Sequence, residues 1–297
     1  MTRLALLLAF LGLASPSLAA PPFDGDRAME LLVAQVELGP RNPGSEGHRA
    51  ALAWMRAELR KTADTVQPHA FTLPDPYGGD ALHLTNLKAS FRPSRPDRIA
   101  FAAHWDTRPR ADREPTGPVE TPIPGANDGA SGVAVLLVLA EILAQNPPPL
   151  GVDLLFFDGE DYGLEGEPEH YSLGAKRYVA DHPGYRPQAV ILLDMVGKAN
   201  LHIPMEGNSL ANAPQLTQAV FQRALDLGLP AFQAVPGRGV MDDHVPFLQV
   251  GVPALNLIDM DYPAWHTLSD TPDQCSPESL AQVGTLVVSL IYDGFSY

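Results

Sequence analysis

The sequence predicts an α/β domain, a three-layer sandwich whose mixed, mostly parallel central sheet is flanked by helices on both faces. Three observations lead there. Short runs at Arg98–Ala103, Val152–Phe157, Ala189–Leu193 and Ala254–Ile258 are almost wholly apolar, the mark of strands buried on both faces. Helical patterns separate these runs, as parallel strands require. The chain has 297 residues and no internal repeat or long linker, which suits one large domain.

The elements follow in order. Arg3, the apolar run Leu4–Leu13 and the small-residue site Ser17-Leu18-Ala19 read as a cleaved export signal over residues 1–19, with Ala20 the alternative last residue. The run is too short to span a bilayer. A periplasmic or secreted catalytic domain is expected from residue 20 to 297. Ala28–Leu38 has the spacing of an amphipathic helix, and Ser45 is placed to cap a second one running to about Lys61. Alternation near Ala81–Leu87, and again at Phe91, suggests early and partly antiparallel strands. The strand Arg98–Ala103 runs into His104-Trp105-Asp106. A long loop follows, from about Thr107 to Asn127, then Asp128 and an apolar helix over Ala130–Ala144. The strand Val152–Phe157, apolar but for Asp153, ends at Asp158-Gly159-Glu160-Asp161. A short helix over Ala175–Asp181 leads to the strand Ala189–Leu193 and Asp194. Helices are predicted at Pro214–Leu227, Asp243–Val250 and Ser279–Tyr292, and the loop after the strand Ala254–Ile258 carries Trp265-His266.

Composition excludes some functions. There are 35 acidic against 20 basic residues, a net charge of −15, and no basic stripe. Such a surface repels phosphate backbones, so no nucleic-acid partner is expected. The single cysteine, Cys275, has no internal disulfide partner; it reads as a small residue in a late loop. No glycine-rich phosphate loop or serine elbow is present.

The chemistry collects at strand ends. His104, Asp106, Glu160, Asp161 and Asp194 each come just after an apolar strand. In an open parallel sheet those carboxyl ends border the binding crevice. Taken alone, each has a simpler reading. Asp128 is placed as an N-cap, Glu160-Asp161 as a solvated turn, His104 and Asp106 as an ion pair, and His266 as a hydrogen-bonded loop histidine. The set carries the case, because zinc takes three or four histidine and carboxylate ligands and a catalytic site keeps one position open.

Six ordered motifs over about Ile99–Asp270 resemble the zinc aminopeptidase and glutaminyl cyclase superfamily. They are His104-Trp105-Asp106-Thr107-Arg108-Pro109, Gly125-Ala126-Asn127-Asp128-Gly129-Ala130-Ser131-Gly132, Phe156-Phe157-Asp158-Gly159-Glu160-Asp161, Leu193-Asp194, Asp242-Asp243-His244-Val245-Pro246-Phe247 and Trp265-His266-Thr267. The resemblance implies one of two site arrangements. In the aminopeptidase arrangement two zinc ions are bound. Asp128 bridges them, Asp161 and His266 hold one, His104 and Asp194 hold the other, and Glu160 activates water. In the cyclase arrangement one zinc sits on Asp128, Asp161 and His266. Glu160 then shuttles a proton, while Asp194 and Asp242 form an acidic pair.

Three features resemble the cyclase branch, and specifically its exported bacterial type: Trp265 before the ligand histidine, the Asp242-Asp243-His244 run, and the His-Trp-Asp-Thr-Arg-Pro run. Two depart from the animal cyclases. Ala103 stands where those enzymes place a disulfide cysteine, and no tryptophan lies between Glu160 and Gly174. The expected activity is zinc-dependent conversion of the N-terminal glutamine of peptides or proteins to pyroglutamate by a monomer, with Trp265 packing on the substrate. The alternatives are a two-zinc aminopeptidase and an inactive binding domain of the same fold.

Overall fold

The computed structural model describes residues 20–294 and Tyr297, so the predicted export signal lies outside the described residues. The helices are α1 Gly25–Glu37, α2 Glu46–Arg60, α3 Ala130–Gln145, α4 Leu173–Asp181, α5 Gly207–Asn212, α6 Pro214–Asp226, α7 Val245–Gln249 and α8 Pro277–Tyr292. The strands are β1 Thr65–Leu73, β2 Leu82–Phe91, β3 Arg98–His104, β4 Gly151–Phe157, β5 Val190–Asp194, β6 Ile203–Met205, β7 Phe232–Pro236 and β8 Ala254–Ile258.

Local chemistry sets several boundaries. The side chains of Asp24, Ser45 and Ser276 accept the amides of Arg27, His48 and Ser279, capping α1, α2 and α8. The predicted Ser45 cap is therefore present. Helix α3 is buried along almost its whole length, which is why its sequence is apolar on every side.

Six strands form one sheet in the order β1-β2-β4-β3-β5-β8. Strands β4, β3, β5 and β8 run parallel, and β1 and β2 join them antiparallel at one side. Alternate residues of β3 face opposite layers. Phe101 and Ala103 join Phe156 and helices α1, α3 and α8 in the larger core. Ala100 and Ala102 join Phe157, Tyr178 of α4 and Phe247 of α7 in the smaller one. This is the predicted three-layer, mostly parallel architecture.

The sequence reading passed over four elements. Strand β1 is an edge strand with only Phe71 buried, so it lacks a clear alternation and tolerates Pro68. Strands β6 and β7 form a separate parallel pair, and α5 is a single short turn beside them. In β4, buried Asp153 is satisfied by Ser90, Arg98 and Tyr185, so a polar residue persists inside a core strand.

Connectivity locates the crevice. From β3 the chain passes through α3 to β4 on one side; β5 and β8 then fill the other side. The order therefore reverses between β3 and β5, where ligands bind in open α/β sheets. At this point α3 approaches β5 closely: a Cβ on Gly132 would stand 2.1 Å from the Leu193 carbonyl oxygen.

Candidate active site

Each predicted side chain is aimed by its own element. His104 is the last residue of β3 and Asp194 the last of β5, so the two meet across adjacent strand ends, Nε2 to Oδ1 at 3.2 Å. Gly159 turns the chain after β4 with a φ of +71°, a conformation glycine adopts freely. Glu160 and Asp161 follow, and their amides donate to the two carboxylate oxygens of buried Asp106 at 3.0 and 3.2 Å. Asp106 thus holds the acidic pair by its backbone. Asp128 does not cap α3, whose N-cap is Gly129. The amides of Asn127 and Asp128 donate instead to Asp270, at 2.8 and 3.1 Å. His266 has a φ of +57°, unusual for a side chain with a Cβ, and its ring turns inward to 4% exposure.

Two groups of ligand atoms result, and Asp128 belongs to both. In the first, Asp128, Asp161 and His266 each offer an atom within 4.8 Å of the others. His266 Nε2 stands 3.6 Å from Asp128 Oδ2 and 3.4 Å from Asp161 Oδ1. Neighbouring ligands on a tetrahedral zinc, with bonds near 2 Å, lie roughly 3.3 Å apart, so the spacing fits. Asp161 Oδ1 also accepts Arg108 Nη1 at 2.6 Å, whereas its buried Oδ2 has no hydrogen-bond partner. A buried carboxylate oxygen left in that state is costly unless a cation meets it. The second group is His104, Asp128 and Asp194, with His104 Nε2 at 3.1 Å from Asp128 Oδ1.

The remaining acids sit beside these groups. Glu160 is 7% exposed and takes a hydrogen bond from the Ser172 hydroxyl at 3.2 Å. Burial, reinforced by the negative charge of Asp242, holds its carboxyl well above the usual carboxylate range. Burial and the charges of Asp194 and Asp243 do the same for Asp242, whose oxygens accept Asn256 Nδ2 and the Asp243 amide, each at 2.6 Å. Burial also pushes Asp243 up to about 8. For His104, burial opposes charging, but hydrogen bonding to Asp106, Asp128 and Asp194 outweighs it, and its pKa lies well above that of free imidazole.

A cavity of about 60 Å³ opens onto the site. Asp128, Glu160, Asp161, Asp194, Asp242 and His266 line it together with Trp265. Tyr171, Met195, Val240, Met241, Ile258 and Met260 complete the lining. A roomier depression of about 560 Å³ lies elsewhere, lined by Asp97, Ile99, Leu150 and Leu290 among others. It holds no candidate ligand set, so chemistry rather than size selects the site.

Sequence reasoning found every acid and histidine of the two ligand groups. It missed the supports: Asp106 beneath Glu160-Asp161, Asp270 beneath Asp128, and Arg108 against Asp161. Arg108 and Asp106 lie in the first motif, so that motif was their available signal. Tyr171 and the methionines gave none, because ordinary apolar residues on loops have no diagnostic spacing.

Known proteins resemble this chain in sequence and fold. The chain is 29% identical over 277 residues to the glutaminyl-peptide cyclotransferase-like protein of Mus musculus, covering 83% of this chain and 70% of that protein. It is 28% identical over 275 residues to the glutaminyl-peptide cyclotransferase of Drosophila melanogaster, covering 82% and 75%. A glutaminyl cyclase structure from Bacteroides thetaiotaomicron superposes with a TM-score of 0.88 at 34% identity, over 93% of this chain and 100% of that one. A zinc-dependent exopeptidase structure from Parabacteroides distasonis does so with a TM-score of 0.87 at 33% identity, over 93% and 100%. The model of one family, peptidase family M28, matches residues 86–291, and with the six-stranded sheet and the histidine–carboxylate groups at its switch point, this chain belongs to that family.

Proposed function

We propose that the protein is a zinc-dependent glutaminyl-peptide cyclotransferase, converting the N-terminal glutamine of peptides to pyroglutamate and releasing ammonia. One observation carries the reading: Glu160, buried and with its carboxyl held above the usual carboxylate range, lines a cavity of about 60 Å³ together with the Asp128–Asp161–His266 group. At roughly 10–15 Å³ per water-sized group, that space matches the heavy atoms of one glutaminyl side chain. Relatives named as cyclotransferases support the same activity.

Asp128, Asp161 and His266 would hold one zinc, which when bound polarises the side-chain amide carbonyl of the substrate. The protein's own groups manage the proton. Glu160 accepts it from the attacking α-amine as the nitrogen–carbon bond of the lactam forms. It then gives the proton to the departing amide nitrogen as that carbon–nitrogen bond breaks, so ammonia leaves and Glu160 returns to its starting state. A carboxyl lifted toward neutrality suits both transfers. The negative charge of Asp242 favours keeping a proton in this cluster. Trp265 packs on the substrate side chain and holds the amine near the carbonyl carbon.

Support for a single ion comes from His104. Its Nε2 lies within hydrogen-bond reach of both Asp128 and Asp194, so an N–H can join these carboxylates. Residues 1–19 would direct export to the periplasm or beyond, leaving a monomeric domain from residue 20. No helix among the described residues is long and apolar enough to cross a membrane.

The test combines a metal count on fully active protein with two assays, cyclisation of a glutaminyl peptide and hydrolysis of a leucyl anilide. One zinc per chain with cyclisation is expected. Two ions with anilide hydrolysis would replace this reading by the aminopeptidase, because the His104–Asp128–Asp194 group would suit a second ion.

A further inference from the structure

The long loop after β3 reaches back into the site. Asp112, on this loop, lies with its Oδ1 3.4 Å from His266 Nδ1, the ring nitrogen opposite the one facing Asp128 and Asp161. Arg108 braces that carboxylate with two bonds, Nε to Oδ1 at 2.9 Å and Nη2 to Oδ2 at 2.5 Å. The same guanidinium spends Nη1 on Asp161 Oδ1 at 2.6 Å, and it is fully buried. The loop grips the neighbouring backbone as well. The Arg113 amide donates to the His266 carbonyl at 3.2 Å, and Glu114 accepts the Leu268 amide.

A histidine that binds a metal through one ring nitrogen is oriented by what the other nitrogen meets. We propose that Asp112 and Arg108 are positioning residues: the Arg108-braced carboxylate of Asp112 fixes the His266 ring and aims Nε2 at the Asp128–Asp161 pair. Arg108 ties both ends of the ligand set together, because its planar fork reaches Asp112 and Asp161 at once. This rests on the reading that His266 binds zinc, and it adds two loop residues to the metal's support.

The experiment compares zinc-loaded parent, Asp112→Asn, Asp112→Glu, Arg108→Lys and His266→Ala by chelator competition. It also records the visible spectrum of the cobalt-substituted proteins and the melting of the metal-free forms. Asp112→Asn is expected to weaken zinc binding about 10- to 100-fold, the usual loss when such an orienting partner goes. Its cobalt bands should shift while the metal-free melting curve stays close to the parent's. Asp112→Glu should recover part of the affinity. Arg108→Lys, which keeps the charge but loses the fork, should bind zinc more weakly than the parent. Parent-like zinc affinity and cobalt spectra in Asp112→Asn and Arg108→Lys, with zinc lost from His266→Ala, would overturn this inference alone. Parent-like zinc in His266→Ala as well would overturn the underlying assignment. If Asp112→Asn fails to fold, the Asp112→Glu and Arg108→Lys affinities decide by the same criterion.

Discussion

Glu160 illustrates how much a catalytic carboxyl depends on neighbours that never touch substrate. Its backbone amide is tied to Asp106, one oxygen is met by Ser172, and the charges around it are mostly negative. Replacing it by glutamine keeps the shape and removes the proton shuttle. Glu160→Gln is expected to retain zinc and to lose at least about a hundredfold in turnover, the scale of a missing general acid-base group. Turnover near the parent's, measured on a variant with parent zinc content, would remove Glu160 from the mechanism. The residues of direct chemical consequence were legible in the sequence because hard ligands after apolar strands stand out. Their supports were not. Nothing in the spacing of Asp106, Asp112 or Asp270 says which backbone amide or ring nitrogen each will meet, since those meetings are made by loops folding across about 50 to 150 intervening residues.

At the level of elements, α3 shows sequence and packing in agreement. Its uninterrupted apolar run signals burial on all sides, and Gly132 lets it press against the end of β5, where Asp194 emerges. Gly132→Ala sets two effects against each other. Alanine in a helix gains up to about 1 kcal/mol over glycine, but here its methyl would collide with the Leu193 carbonyl at 2.1 Å. Overpacking of this kind costs about 1–3 kcal/mol, so the clash should win. A lower melting temperature and a reduced cyclisation rate are expected, and a melting temperature raised above the parent's would refute the close approach. The core strands were readable because burial on both faces writes them as apolar runs. Strand β1 lies at the sheet edge, and β6 and β7 pair outside the sheet; neither setting imposes such a pattern.

Over the whole molecule, five acidic side chains, Asp128, Glu160, Asp161, Asp194 and Asp242, gather around one cavity, at the point where metal is proposed to bind. Taking several carboxylates out of water costs several kcal/mol each unless they are paired, so a divalent cation there should stabilise the fold as well as serve the reaction. With zinc at about a hundred times its dissociation constant, the gain is about 2.7 kcal/mol. Chelation should then lower the melting temperature by roughly 5 °C for a domain of this size, and identical melting with and without chelator would argue against a resident ion. The carboxylate-lined cavity also treats reactant and product unequally. A peptide arrives with a positively charged amino terminus, to which such walls are attractive. It departs as a neutral lactam with nothing left for them to hold, while the expelled nitrogen carries the charge away as ammonium. Turnover erases the feature that drew the peptide in, so finished molecules should clear the cleft without competing with fresh ones. A pyroglutamyl peptide is therefore expected to inhibit at least about tenfold more weakly than its glutaminyl parent binds, a difference near 1.4 kcal/mol, and equal affinities would mean that the acidic wall plays no part in this discrimination.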